Sequence, residues 1–240
     1  MYTEMFSWVY NKWQYLFARR QIANDIFYDT DSMELETGDL IFFSTNRWYS
    51  RLIRWATACE YSHMGMIIRE PRSWLNPNLT EKYYIIESGS EPFPDSDTQL
   101  YDVGVQITSL KTVVSYYMKG AGKVYYRRLK TNSDKRIENE QIICETYNTI
   151  KNSSYDINPL HWFVGYKKLY CNLYDKCLYT KYRFTNSFFC SSLVCYLYVK
   201  MGLISENVAW SIVCPADFNT ENRYTLQLID ATLEEYIEIK

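Results

Sequence analysis

The stretch that decides the fold is residues 187–202, which read SFFCSSLVCYLYVKMG. This segment is apolar on every side and carries one charge, close to its end, a pattern typical of a helix buried in a core. Asn186 or Ser187 is a suitable N-cap, and Gly202 stands where a left-handed residue commonly ends a helix. The sequence therefore predicts a core helix with Cys190 in its first turn.

A cysteine in the first turn of a helix has a physical reason to be reactive. The positive end of the helix dipole and the free backbone N–H groups of that turn both favour the thiolate of Cys190. A protonated histidine nearby would lower the thiol pKa further, towards that of reactive cysteines. The alternative is that so apolar a segment holds an inert core cysteine. The side chains that lie near Cys190 in the fold decide whether it is reactive or inert.

Two histidines are available as the base. His63 lies at the start of a predicted strand, within residues 61–66, which read YSHMGM. It is either a core histidine or a base. His161 lies in a poorly patterned stretch, where a structural role is expected. Glu87 closes the apolar run 83–87, where a carboxylate is costly unless it has a partner. It either faces water or accepts a hydrogen bond from His63, which leaves the other ring nitrogen for a thiol.

Apolar periodicity predicts a mixed α and β chain. Short apolar runs predict buried strands and wider periods predict helices. Residues 152–186 have no stable period and are interpreted as irregular, with a short helix near Trp162, and they are a candidate lid. We expect an N-terminal amphipathic helix and lead-in over 1–35 and a single catalytic domain over 36–240. The expected strands are 40–43, 64–68, 83–87, 103–107, 123–129 and 224–229, and the expected helices are 1–27, 48–58, 133–151 and 187–201.

Composition excludes several classes of function. Lysine and arginine number 26 against 28 acidic residues, so no basic field points to nucleic acid. The seven cysteines lack the short spacing of zinc pairs, and no phosphate-binding or dinucleotide-binding glycine loop is present, so we expect no metal and no cofactor. The N-terminus lacks the apolar core of a signal peptide, which favours an intracellular, reducing compartment. Helix 1–27 is expected to pack on the domain, with peripheral membrane contact as the alternative.

Six motifs in a fixed order carry a resemblance to a known family. They resemble the circularly permuted NlpC-type papain-like hydrolases, the YiiX-like group that includes poxvirus and other large-virus members. The resemblance spans roughly residues 36–220, and its specific parts are the Ser-His-x-Gly and Phe-Cys-Ser segments. The motifs are Gly38-Asp39-Leu40, Tyr61-Ser62-His63-Met64-Gly65, Ile85-Ile86-Glu87-Ser88, Tyr155-Asp156, Phe189-Cys190-Ser191-Ser192-Leu193-Val194 and Pro215-Ala216-Asp217.

The resemblance implies both a fold and a site. It implies an α+β papain-like core in which the cysteine-bearing helix packs on an antiparallel sheet. It makes Cys190 the nucleophile, His63 the general base and Glu87 the residue that orients the histidine. Tyr155, and Ser62 beside the histidine, are candidates for positioning substrate or an oxyanion. Family members often carry glutamate where this chain has Ser192, which leaves the role of that acidic side chain open.

The predicted function is a thiol-dependent hydrolase or acyltransferase that cleaves an amide or ester bond. The apolar, aromatic-rich composition and the N-terminal helix favour a lipid or acylated substrate, and a peptidase acting on protein is an alternative. A second alternative, from another class, is a catalytically silent virion or interaction protein on the same fold. A host cytoplasm or a virion would then be its location.

Overall fold

A computed structural model describes residues 30–45, 50–51, 54–55, 59–90, 92–131, 135–156, 182–219 and 226–239. Within these ranges the chain forms ten strands and three α-helices, joined in places by short 3-10 turns. The strands are β1 (Leu40–Ser44), β2 (His63–Arg69), β3 (Tyr83–Gly89), β4 (Gly104–Ser109), β5 (Lys123–Arg127), β6 (Leu129–Thr131), β7 (Ser154–Tyr155), β8 (Ser187–Phe188), β9 (Ala231–Leu233) and β10 (Ile237–Ile239). The helices are α1 (Leu110–Lys119), α2 (Lys135–Ile150) and α3 (Cys190–Lys200).

Eight of the strands form one large sheet, in the order β10-β5-β1-β2-β3-β4-β7-β8. Every pair in it is antiparallel except β7 with β8, and β6 pairs with β9 in a separate two-stranded sheet. The four central strands are buried along nearly their whole length, because helices cover both faces of the sheet. The predicted α+β class with a mostly antiparallel sheet is confirmed.

The two faces of the sheet hold two separate hydrophobic clusters, because successive side chains of a strand point to opposite faces. We call them the α3 face and the α1 face after the helix that covers each. On β2, Met64, Met66 and Ile68 belong to the α3 face, whereas Ile67 belongs to the α1 face. Helix α2 also packs on the α3 face, through Ile143, Tyr147 and Ile150. This division decides which functional side chains can meet.

The core helix ends as predicted and begins later than predicted. Gly202 has φ 70, and its N–H donates to Val199 O at 3.0 Å, which closes the helix. The first residue of α3 is Cys190, however, because Ser187 and Phe188 pair with β7 as strand β8. The cap predicted at Asn186 or Ser187 is therefore wrong, and Phe189 holds the N-cap position. The later start brings Cys190 to the very first position of the helix.

Other differences arise where tertiary pairing overrides local pattern. Helix α1 was not predicted, because its Val-Val and Tyr-Tyr pairs favour strands, yet it is anchored where Ser109 Oγ accepts from Thr112 N–H at 3.4 Å. The run 123–129 is split into β5 and β6. A strand over 224–229 is wrong for its described part, 226–229, and the C-terminal strands are β9 and β10.

Several expectations fall on residues outside the described ranges. They are the amphipathic helix 1–27 with its membrane contact, most of helix 48–58, the role of His161, and the greater part of the candidate lid 152–186. Within the described part of the chain, the search for a helix long and apolar enough to cross a bilayer finds none.

Candidate active site

The centre of the site is a buried ion pair between His63 and Glu87. The His63 Nε2 atom lies 2.6 Å from the Glu87 Oε2 atom, and the two side chains are 9% and 0% exposed. Register explains the contact, since β2 and β3 are antiparallel and place both residues on the α1 face, one diagonal step apart. A carboxylate on Nε2 fixes the ring and leaves Nδ1 as the nitrogen for proton transfer.

Gln106 completes the hydrogen bonding of the carboxylate. It lies directly opposite Glu87 in the pairing of β3 with β4, and its Nε2 atom donates to Glu87 Oε1 at 3.4 Å. Each oxygen of the buried carboxylate therefore has a donor, as burial of a charge requires. Sequence analysis missed Gln106, although a signal exists: Gln106 and Thr108 alternate with Val105 and Ile107, which indicates a polar stripe on one face of a strand.

Two aromatic rings, one from strand β1 and one from helix α1, pack near the imidazole of His63. His63 stacks on Phe43, its register partner in β1, with ring centroids 5.7 Å apart and an interplanar angle of 29°. The ring of Tyr117, from helix α1, is almost parallel to the imidazole, at 6.2 Å and 2°. These two ring contacts, one from a strand and one from a helix, restrict rotation of the His63 imidazole. The pair with Glu87 is therefore preorganised.

Cys190 lies at the first position of helix α3 and is 5% exposed. The Oγ atom of Ser192 accepts the Phe189 N–H at 2.7 Å, which satisfies one donor at the helix start. A serine three residues after the cap thus does here what a glutamate does in a capping box.

The chain leading into Cys190 is fastened to the strand that carries Glu87. Ser88 Oγ donates to Phe188 O at 2.8 Å, and the Asp156 N–H donates to the same oxygen at 3.0 Å. Ser88 follows Glu87 directly, so the two side chains leave β3 on opposite faces. Strand β3 therefore contacts the imidazole through Glu87 on one face. On the other face it contacts, through Ser88, the segment that leads into helix α3.

The structure brings His63 and Glu87 together, and it places Cys190 in the hydrophobic cluster of the α3 face. Cys190 belongs to the cluster on the α3 face, whereas His63 packs with Phe43 and Tyr117 on the α1 face. His63 is the first residue of β2, and residues 59–62 lead into it. The complete triad stays a prediction.

Of the two weaker candidates, Tyr155 packs against the residue before Cys190, and Ser62 directly precedes His63. The ring of Tyr155 packs edge-on against Phe189, the residue before Cys190, with centroids 6.2 Å apart. Ser62 precedes His63 and is buried, and its hydroxyl donates to Phe43 O at 3.4 Å. Tyr155 therefore borders the helix start, and Ser62 fixes the entry into β2, while a role of either in binding substrate stays a prediction.

The described cysteines are free thiols, and one of them sits near Cys190. Cys59 and Cys190 belong to the same cluster, and burial raises the pKa of the Cys59 thiol to about 11, with the Cys190 charge contributing a smaller increase. Among the described residues no group of three or more histidine, cysteine or acidic side chains is placed to hold a metal ion. The remaining described thiols are Cys144, Cys195 and Cys214.

Comparison with known proteins gives a distant structural likeness. A scan against protein-family profiles matches none, and a search of curated proteins finds no match. Among solved structures, the chain is similar to the metalloprotein YiiX of Escherichia coli O157:H7, from the DUF1105 group. The two share 18% sequence identity with a TM-score of 0.45, over 85% of this chain and 98% of that one.

Proposed function

We propose that this chain is a thiol-dependent hydrolase or acyltransferase in which Cys190 is the nucleophile, His63 the base and Glu87 its positioning partner. The observation that carries the proposal is the buried pair of His63 with Glu87 at 2.6 Å. A neutral core histidine needs no carboxylate, whereas a general base gains orientation and basicity from one. The helix start at Cys190 and the resemblance of the motifs add support.

The proposed reaction begins with proton transfer from the Cys190 thiol to His63 Nδ1. The thiolate sulfur attacks the acyl carbonyl, and the new S–C bond forms as the bond to the leaving oxygen or nitrogen breaks. The imidazolium gives its proton to the leaving group, and a thioester remains. Water, or another acceptor, then attacks the thioester and restores the thiol through the same histidine. The Cys190 backbone N–H, at the positive end of the helix, is the candidate oxyanion donor.

This chemistry requires the thiol to come within hydrogen-bonding distance of the imidazole. Catalytic contacts commonly tighten only in the substrate complex. Coupling between the Cys190 thiol and the His63 imidazole is measurable without substrate. It is obtained from the pH dependence of Cys190 alkylation in the wild type and in His63→Ala. We expect the reactive form of Cys190 to persist to lower pH when His63 is present. Identical profiles would show that the two residues do not act together.

The substrate proposed is an acyl ester or amide, with lipid or acylated molecules favoured over protein. Nitrophenyl esters with acyl chains of increasing length test this. The release of nitrophenol measures acylation of the protein, and the preferred acyl chain indicates what the acyl pocket accepts. Rising rates with chain length favour a lipid-type substrate. Preference for peptide amides over every ester favours the peptidase alternative.

The decisive experiment compares three cysteine variants in that acylation assay. We expect acylation to be lost in Cys190→Ser and retained in Cys195→Ser, whose thiol lies buried in the same helix. Cys59→Ser is a second control, because a thiol whose pKa is raised to about 11 by burial is scarcely ionised near neutral pH. His63→Ala should slow acylation by roughly 10²-fold or more. Equal acylation of the wild type and Cys190→Ser would disprove the proposal.

A specific observation also favours a second candidate, a catalytically silent interaction protein on this fold. Cys190 packs within the hydrophobic cluster of the α3 face and is almost completely buried. In that case the pair of His63 with Glu87 would serve stability alone. Absence of any acyl adduct on Cys190, together with a large loss of stability in His63→Ala, would favour this candidate.

A further inference from the structure

The face of the sheet that holds His63 carries a polar stripe that extends beyond the ion pair. On β4, Gln106 and Thr108 point to the α1 face, while Val105 and Ile107 fill the hydrophobic cluster of the α3 face. Gln106 and Thr108 are each only 1% exposed. Buried polar side chains in a central strand are unfavourable without partners, so their presence calls for a cause.

Only one end of the Gln106 amide has a partner. Its Nε2 atom donates to Glu87 Oε1 at 3.4 Å, whereas its Oε1 atom is buried without a hydrogen-bond partner among the described residues. Turning the amide round would place its oxygen against the carboxylate, which is repulsive, so the donor orientation is fixed. An aliphatic side chain like those of Val105 and Ile107 would satisfy the strand better. The contact with Glu87 is therefore the reason for an amide at this position.

We propose that Gln106 is a positioning residue for His63, acting through Glu87. By donating to one carboxylate oxygen it fixes the plane of the carboxylate and commits the other oxygen to the imidazole. It also stabilises the ionised form of Glu87, since a hydrogen bond to a charged acceptor is stronger than one between neutral groups. Its part in catalysis rests on the function proposed above, whereas its effect on the histidine does not.

The titration of His63 tests this role directly. Among the described residues, the titratable groups that face the imidazole include Glu87 from β3 and Tyr117 from α1. The chain has two histidines, so replacing His161 by glutamine leaves His63 as the sole imidazole signal in a magnetic resonance titration. In that background we expect Gln106→Met to move the His63 midpoint upward, because a carboxylate without its second donor holds the shared proton more strongly.

Thr108→Val is the matched control. Thr108 lies on the same strand and face, equally buried, and its hydroxyl has no hydrogen-bond partner among the described residues. Replacing it conserves shape and removes no contact with Glu87, so the His63 midpoint should stay at the wild-type value. Gln106→Asn, whose shorter amide stops short of Glu87, is a second variant if Gln106→Met does not fold, and it should shift the midpoint in the same direction.

The outcomes separate the two proposals. An upward shift in Gln106→Met with an unchanged Thr108→Val supports the positioning role, and acylation should then slow roughly tenfold in the first variant alone. The same shift in a protein that forms no acyl adduct would keep the role of Gln106 and overturn the hydrolase. A midpoint in Gln106→Met that matches Thr108→Val overturns the positioning role, whatever the acylation assay gives.

Discussion

At the scale of single residues, the site is governed by the cost of burying charge. Glu87 is completely buried, and its carboxylate is acceptable there because His63 and Gln106 each donate to one oxygen. The same rule explains Arg127, whose guanidinium is 1% exposed and donates to three backbone carbonyls. Both charges are compensated by groups distant in sequence, which ties each of them to the complete fold.

Removing His63 tests how much the buried pair contributes. In His63→Ala the Glu87 carboxylate loses its principal partner, and we expect about 3–5 kcal/mol less free energy of unfolding near neutral pH. The unpaired carboxyl escapes the penalty by binding a proton, so the native variant binds more protons than its unfolded chain. Its stability therefore rises as pH falls, and the loss is smaller near about pH 5 than near about pH 7.5. Urea denaturation at both pH values measures this.

The double variant His63→Ala with Glu87→Gln is the control for that measurement. It removes the unpaired charge, so it should regain a substantial part of the lost stability at neutral pH. A loss below about 1 kcal/mol in the single variant, with no recovery in the double, would show that the pair is not significant for stability.

At the scale of elements, close approach of strands β2 and β3 sets the geometry of the pair. Gly65 lies between His63 and Ile67 on the α1 face, and a Cβ atom there would be 2.5 Å from the Ile85 side chain and 2.9 Å from Ile86 O. The glycine therefore leaves room for Ile85 beside the site. A larger residue would separate the two strands at the point where His63 and Glu87 meet.

Gly65→Ala is predicted to disturb both strand packing and the ion pair. The added methyl group overpacks the sheet, and we expect a loss of about 1–3 kcal/mol in unfolding free energy. Gly120→Ala is the matched control, because its added Cβ would have its nearest neighbour, Tyr117 O, at 3.4 Å, an ordinary contact. Denaturation of both variants measures the difference. Equal stability of the two would show that β3 yields without cost.

At the scale of the whole molecule, Arg127 joins the C-terminal segment to the sheet. From the end of β5 its Nη2 donates to Leu233 O at 3.0 Å, its Nε donates to Glu234 O, and its Nη1 donates to Phe218 O. The guanidinium also lies 4.8 Å from the centre of the Tyr236 ring. Two separate parts of the chain, Phe218 and the segment 233–236, thus converge on one planar cation, so the C-terminal strands depend on it.

Arg127→Met should loosen the C-terminal segment selectively. We expect faster amide hydrogen exchange at Leu226 and Glu234, whose N–H groups bond to Asp217 O and Arg128 O, and little change in β2 and β3. Arg127→Lys should not restore protection, because an ammonium group cannot reach three carbonyls in the plane of a guanidinium. Uniform acceleration across the sheet, or recovery with lysine, would contradict this assignment.

The sequence by itself determined the α+β class, most of the central strands and the core helix, because burial leaves a period in the apolar residues. It left Glu87 either facing water or paired with His63, since a carboxylate ending an apolar strand is costly without a partner. Helix α1, the start of helix α3 at Cys190 and the strands β9 and β10 were not predictable in this way, because pairing with distant segments outweighs local propensity there.

Only the tertiary structure decided which side chains share a face of the sheet. A strand sends adjacent residues to opposite faces, and the register between β2, β3 and β4 joined His63, Glu87 and Gln106. The same alternation placed Ser88 on the other face, where its hydroxyl donates to Phe188 O. No local pattern encodes the register between strands that lie far apart in sequence, because it is fixed by the packing of the two clusters together.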